Sequence, residues 1–400
     1  MVTTASHFSD SRYRTYAGEG FDGVVRVSYA GYYGTGAVLF DGRTIMTTAH
    51  LFDGRSGTIG VSFETGAETK TVSALKHVQH PGYDTEGNND LALVWLASAA
   101  PVEADRYGLY RDRNEVGQAF TLAGYGRTGT GATGVTSSES ATPPRLKAAN
   151  LFDTEASELE TQLGAFINWK PLAGTQLLAD FDNGLSANDA LGQLLGRTHL
   201  GYGANEGLIA SGDSGGPAFI DGMLAGVATY TASLSRGTTT PDVDDLNNSS
   251  FGEIGAWQRV SAYQQWIDQN LRAEYTDAPT RPQDVIKEVA EGNAGTRLVY
   301  FLLQFTGVRN APEEIIGVNY ATRDGSALAG SDYIAVQGTL NLYPGEHQAV
   351  IAVEILGNAT PEPDENFYLD VFNPVGGSFG IGVVKLTAVR TILDDDGWLG

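Results

Sequence analysis

The sequence contains no cysteine, which excludes disulfides, thiolate nucleophiles and cysteine-ligated metals and leaves the redox compartment open. It has no run of about 18 apolar residues, so no membrane-spanning helix is expected. Basic residues are scarce, 25 against 48 acidic, for a formal charge of −23 and a pI near 4.5. Such a surface repels phosphate backbones and anionic lipid, so neither nucleic acid nor membrane is an expected partner. Divalent cations, Ca²⁺ above all, are the natural counterparts of so many carboxylates, although solubility alone would also account for them. The opening stretch MVTTASHFSDSRYR has no apolar core segment, so no cleavable signal peptide is expected. An extracellular or cell-surface location would then call for export by a signal-less route.

What remains is a folded, glycine-rich chain: 42% apolar, 18% charged, with 51 glycines among 400 residues, long enough for two domains. From Gly23 to Leu51, short β-rich stretches are broken by glycine and by a hairpin signal at Asp41-Gly42. Further strands are expected at TVSALKHV, LALVWL, QAFTLAGYG and MLAGVATY. One helix is expected at VSAYQQWIDQNLRAEY, where Val260, Tyr263, Trp266, Ile267 and Leu271 share a face. The loosest stretch, Thr128 to Pro144, is expected to be a mobile surface loop. TDAPTRPQD then has linker composition. Beyond it, LVYFLLQF, EIIGVNYAT, GTLNLY, AVIAVEIL, NFYLDVF and GVVKLTAVRTIL are spaced as the strands of a β-sandwich. These divisions predict domains over 1–275 and 285–400, joined by a linker over 276–284. Residues 284–400 hold 16 acidic and 6 basic side chains, a net of −10.

Nucleophilic hydrolysis by serine needs a hydroxyl, a base in reach of it and donors for the oxyanion. The run Gly212-Asp213-Ser214-Gly215-Gly216-Pro217 sets one hydroxyl among glycines, which permit a tight backbone path bringing the Gly212 and Ser214 N–H groups toward one point. The bland alternative is a Gly/Ser-rich turn. Of the six histidines, His50 closes the strand-like MTTAH. His77 and His80 form an H-x-x-H pair that reads as a surface loop more readily than as metal ligands, because on a strand they would not face the same way. Asp90 directly precedes the apolar run LALVWL. A carboxylate there either caps the strand or serves the site.

These residues, in this order, resemble the trypsin/chymotrypsin-like serine peptidases: Thr48-Ala49-His50, Asp90-Leu91-Ala92-Leu93 and Gly212 to Pro217. Gly34-Thr35-Gly36, Gly124-Tyr125-Gly126 and the helix after Trp257 support the match over about residues 20–272, most weakly between Thr154 and Leu200. The resemblance implies an all-β fold of two six-stranded barrels with a closing helix. It also implies a serine endopeptidase acting on proteins or peptides, with Ser214 as nucleophile, His50 as general base and acid, and Asp90 as orienting acid. Thr229 falls where the family places a serine that touches the acid. Leu208 stands where members that cut after Arg or Lys carry an aspartate, so an apolar or small P1 side chain is expected, with Thr231 and Gly255 as the other pocket walls. The family's activated Ile-Val-Gly-Gly terminus has no evident counterpart to pair with Asp213; Arg14 to Gly18 is the nearest candidate. Asp180-Phe181-Asp182-Asn183-Gly184 resembles half of a calcium loop, lacks the closing glutamate of an EF-hand, and reads as an acidic turn.

The second domain resembles the Calx-beta domain of sodium–calcium exchangers. The resemblance rests on Tyr320 to Gly325, Gly330-Ser331-Asp332-Tyr333, Gly338-Thr339-Leu340, Pro344-Gly345-Glu346, Asp364-Glu365-Asn366-Phe367 and Ile392 to Asp396. It implies an immunoglobulin-like sandwich binding Ca²⁺ through Glu291, Asp332, Glu362, Glu365, Asp394, Asp395 and Asp396. Gly357-Asn358 replaces a pair of aspartates in the calcium-binding pattern, so weaker binding or fewer ions are expected. The competing reading of the whole chain is an inactive protease-fold scaffold serving as a calcium-dependent binding or adhesion protein.

Overall fold

The computed structural model describes residues 2–66, 68–136, 143–164, 167 and 169–396. It is mostly β with few helices, as expected. The chain divides into two compact units, Met1–Leu39 with Arg43–Gln264, and Phe40–Gly42 with Gln265–Gly400. The division falls inside the expected helix, which spans Val260–Ala273 and buries Val260, Tyr263, Ile267 and Leu271. No helix among the described residues is long and apolar enough to cross a membrane.

In the first unit six strands close an antiparallel barrel, in the order Val24–Tyr29, Tyr32–Val38, Thr44–Thr47, Ala92–Leu96, Thr69–Gln79, Ile59–Glu64. Ile59–Glu64 alternates buried and half-buried residues, sending Val61 and Phe63 inward beside Val25, Val27, Ile45 and Val94. Each such side chain contributes about 1.5–3 kcal/mol on burial. The Asp41-Gly42 signal lies in the turn of a hairpin pairing Ala37 with Met46 and Val38 with Ile45; Gly42 takes a positive φ of 64°.

The rest of the unit is built on the second, half-barrel sheet of the expected fold. It is an antiparallel sheet of seven strands: Leu146–Leu151, Ala119–Gly124, Pro217–Ile220, Met223–Ala232, Ile254–Arg259, Gln176–Asp180 and Thr154–Glu155. The two edge strands meet through the Phe152-Asp153 connection with no ladder between them among the described residues. Two helices that carry no long periodic pattern in sequence, Ala156–Leu163 and Ala190–Leu195, pack Leu159, Leu163, Leu191 and Leu194 against Leu178 and Ile254. Part of the stretch expected to be loose is paired. Gly129–Thr130 and Gly134–Val135 join Val2–Thr4 and Gly207–Ile209 in a four-stranded sheet. Residues 137–142 of that stretch lie outside the described ones.

Among the described residues the second unit contains seven strands in two sheets. Five run in the order Glu288–Ala290, Lys385–Leu393, Glu365–Val375, Ile316–Asp324, Gln337–Leu342, and two pair as Thr296–Gln304 with Gln348–Leu356. Their inner faces meet through Val299, Phe301, Val318, Leu340, Val353 and Phe367.

Candidate active site

His50 follows strand Thr44–Thr47, and Asp90 immediately precedes the buried run of Leu91 and strand Ala92–Leu96, which pairs with the histidine's own strand. The pairing brings the carboxylate under the imidazole. Asp90 Oδ2 lies 2.7 Å from His50 Nδ1, and its Oδ1 accepts the His50 backbone N–H at 2.8 Å. Thr48 Oγ1 lies 2.9 Å from the same ring nitrogen. Thr229 is the extra residue of a β-bulge in Met223–Ala232, where Ala228 pairs with Trp257 and Tyr230 with the next residue, Ala256. Such a bulge re-aims a side chain, and the Thr229 hydroxyl donates to Asp90 Oδ2. Asp90 is 1% exposed. Burial alone would raise its pKa, yet the hydrogen bonds and charge of His50, with the hydroxyls of Thr229 and Thr48, hold it below the ordinary value of 3.8.

The serine sits in a loop fixed from below by Thr35. The Thr35 amide donates to the Ser214 carbonyl at 2.8 Å, and its hydroxyl donates to the Gly212 carbonyl at 3.0 Å while accepting the Tyr125 amide at 3.1 Å. Gly34 is required beside it, since a Cβ there would stand 2.8 Å from the Ser214 carbonyl oxygen. Gly212 and Gly215 adopt φ of 94° and 82°, the left-handed region that favours glycine. Among the described residues, the N–H groups of Gly212 and Ser214 donate to no backbone carbonyl. Asp213 accepts the Gly126 amide at 2.8 Å and the Ala210 amide at 2.9 Å; its burial raises its pKa to about 6. In the Arg14 to Gly18 segment, Thr15 is engaged with Arg145 and Gly18 with Asp22.

His50 and Ser214 line one cavity of about 150 Å³, together with Tyr32, Tyr33, Leu51 and Gly212. On the other side of Ser214 a cavity of about 320 Å³ is walled by Arg127, Ile209, Thr231, Asn247 and Asn248. Of the three expected pocket residues only Thr231 lines it. Leu208 is fully buried in the core with Trp257, so the neighbouring Ile209 forms the wall instead. Gly255 lies in the sheet between Ala179 and Thr231, close against the Leu208 and Trp257 side chains. The wall is therefore more polar than the sequence reading expected. Asn247 and Asn248 come from the insertion after Tyr230, and Asn247 is tied to Thr231 by a 3.0 Å hydrogen bond. Arg127 follows Gly124-Tyr125-Gly126 and donates its amide to the Ser211 carbonyl at 2.7 Å.

His77 and His80 do not converge on a shared ligand position. His77 stacks on Phe52 at 4.2 Å, and His80 meets Tyr263 edge-on at 5.3 Å.

In the second unit the expected calcium ligands fall into two groups, Glu291 with Asp394 and Asp396, and Asp332 with Glu362 and Glu365, the oxygens of each lying within 4.8 Å of one another. Asp395 belongs to neither group and accepts the Gly292 amide at 3.0 Å. The first group fits a cation: Glu291 Oε1, Asp394 Oδ1 and Asp396 Oδ2 are buried without a hydrogen-bond partner. Burial and the carboxylates around it push Glu291 up to about 7. Asn358 donates to Glu291 Oε2 at 3.1 Å, so a neutral amide stands where a further charged ligand was expected to be missing.

A family model described as Trypsin matches residues 11–148, a stretch that holds His50 and Asp90 and ends before Ser214. One described as Calx-beta domain matches residues 304–396. Over 92 residues the chain is 41% identical to sodium/calcium exchanger 2 of Rattus norvegicus, a match covering 20% of this chain and 10% of that protein. Over 80 residues it is 39% identical to the sodium/calcium exchanger Calx of Drosophila melanogaster, covering 20% and 8%. The chain thus spans about a tenth of the length of the curated relatives it matches. Among solved structures, neuropsin, a serine protease expressed in the limbic system of mouse brain, aligns at 17% identity with a TM-score of 0.45, covering 65% of this chain and 98% of that one.

Proposed function

We propose that this trypsin-type domain with its Calx-beta partner is a serine endopeptidase carrying a calcium-binding accessory module. The observation that supports it best is the grip of Asp90 on His50, at 2.7 Å, in a cavity that His50 shares with Ser214. Ser214 Oγ attacks the scissile carbonyl, and its proton passes to His50 Nε2. The imidazolium then protonates the leaving amine, leaving an acyl ester on Ser214. Water, deprotonated by His50, attacks that ester and the serine recovers its proton. Asp90 stays ionised throughout, fixing the tautomer and stabilising the imidazolium. The Gly212 and Ser214 N–H groups take the charge that develops on the carbonyl oxygen.

The 320 Å³ cavity beside Ser214 holds the P1 side chain. With Thr231, Asn247 and Asn248 in its wall, it favours a polar P1 group over the small or apolar one that Leu208 alone would indicate. A peptide-library cleavage profile tests activity and pocket together. Enrichment of Ser, Thr, Asn or Gln at P1 is expected; enrichment of Leu, Val or Ala contradicts the pocket assignment.

In the Calx-beta domain, Glu291, Asp394 and Asp396 would hold one Ca²⁺, and Asp332, Glu362 and Glu365 a second. The cation would draw the strand ends and the acidic C-terminal segment together by neutralising their charge. Asn358 in place of a charged ligand lowers the affinity toward the millimolar range of extracellular modules. That affinity suits a protein working outside the cell or at its surface.

A further inference from the structure

We propose that the buried carboxylates Asp180, Asp182 and Asp189, with Glu206 beside them, form a calcium site inside the peptidase domain, apart from both the catalytic cavity and the Calx-beta carboxylates. The segment read from sequence as half of a calcium loop acquires its missing ligands from further along the chain. Asp180 ends strand Gln176–Asp180, and Asp182 follows two residues on while Phe181 between them packs into the core. Asp189 arrives as the N-cap of helix Ala190–Leu195, one oxygen accepting the Gly192 amide at 2.7 Å. Oxygens of these three aspartates lie within 4.8 Å of one another. Ligands on opposite sides of a calcium ion stand about 4.6–5.2 Å apart, so the spacing is that of one coordination shell.

An independent observation points to a ligand. Asp182 is 1% exposed, and both of its carboxylate oxygens lack a hydrogen-bond partner. Its neighbours are at least partly satisfied. Asp180 Oδ2 accepts the Leu191 amide at 2.6 Å, and Glu206 accepts the amides of Asp182, at 3.0 Å, and Tyr202. Among the described residues, the ion-pair contact to the three aspartates is His199 Nδ1, 3.8 Å from Asp182 Oδ2, too long for a hydrogen bond. Asp182, out of water and without a hydrogen bond among the described residues, is sustained by a proton or by a cation held between it and its neighbours. A set of carboxylate oxygens with no thiolate among them selects a hard cation, and Ca²⁺ accepts several protein carboxylates more readily than Mg²⁺, which keeps its waters.

The test uses the full chain with the Calx-beta ligands removed by Glu291→Gln, Glu365→Gln and Asp396→Asn together. After EGTA treatment and desalting, Ca²⁺ is titrated calorimetrically and melting is followed with and without it. One Ca²⁺ per chain is expected, with a rise in Tm of about 5–10 °C at about 100 times Kd. Adding Asp182→Asn to that background abolishes the uptake and the rise, while the Tm in EGTA stays at or above the parent's because repulsion is relieved. Should Asp182→Asn fail to fold, Asp189→Asn gives the same readout. No uptake in the triple variant overturns the site, and so does uptake unaffected by both aspartate substitutions. A melt that shifts with pH but never with Ca²⁺ identifies a proton-sharing pocket and also overturns it.

Discussion

The hydroxyl of Thr35 donates to the carbonyl of Gly212 across 177 residues of chain, tying a strand of the closed barrel to the loop that carries Ser214. The same oxygen accepts the Tyr125 amide. Thr35 is fully buried, and its hydroxyl serves the buried Tyr125 amide and the half-buried Gly212 carbonyl. Thr35→Val keeps the shape and removes both bonds. It is expected to cost about 2–4 kcal/mol of stability, the penalty for two backbone groups left unsatisfied, and to lower kcat by roughly tenfold as the Gly212 N–H loses its aim. Thr35→Ser restores most of both; urea unfolding and steady-state kinetics on the two variants check it.

Asp90 governs the pH behaviour of the site. Its carboxyl titrates below 3.8, because the bonds and charge of His50 and the Thr229 and Thr48 hydroxyls outweigh burial. A depressed folded-state pKa contributes stability that is present above the unfolded value and lost as pH falls through the folded one. Asp90→Asn is therefore expected to destabilise at pH 7 and to match the parent progressively more closely below about pH 4. Its kcat at pH 7 falls on the order of 10⁴-fold, since an amide does not hold the imidazole in the required tautomer. Thermal melts of both proteins across pH 3–8 measure the first effect, and kcat the second.

How much of this was legible in the sequence follows from what each element depends on. The barrel strands, the helix at Val260 and the sandwich strands announce themselves through local periodicity. His50, Asp90 and Ser214 are marked by short motifs. Which of two adjacent apolar residues, Leu208 or Ile209, the core takes and which lines the cavity is decided by packing, which the sequence does not display. Asn247 and Asn248 belong to an insertion with no periodic pattern, and Arg127 reaches the cavity from a distant loop. Asp189 and Glu206 meet Asp180 and Asp182 only through tertiary structure, so a half-motif looked like an acidic turn.

Glu291 offers a measurable sign change that tests whether the Calx-beta carboxylates hold calcium. Without metal its pKa is raised to about 7 from 4.5 by burial and by Glu362, Asp396, Asp394 and Asp395. A carboxyl raised in the folded state destabilises it progressively as pH climbs from the unfolded value through the folded one. In EGTA, Glu291→Gln is thus expected to raise Tm at pH 8 and to leave it unchanged at pH 4. In millimolar Ca²⁺ at pH 8 the order reverses, because the variant has lost a ligand. Four melting curves decide the matter, and a variant that responds to Ca²⁺ as the parent does removes Glu291 from the ligand set.

The central claim is that Ser214 is a nucleophile activated by His50. It is tested most directly by labelling the purified full chain with a fluorophosphonate probe, which reacts only with an activated serine. The account predicts one label per chain, abolished by Ser214→Ala, lowered at least 10³-fold in rate by His50→Ala and retained in Ser211→Ala. A folded parent protein that takes up no label, or one whose label survives Ser214→Ala, would contradict it.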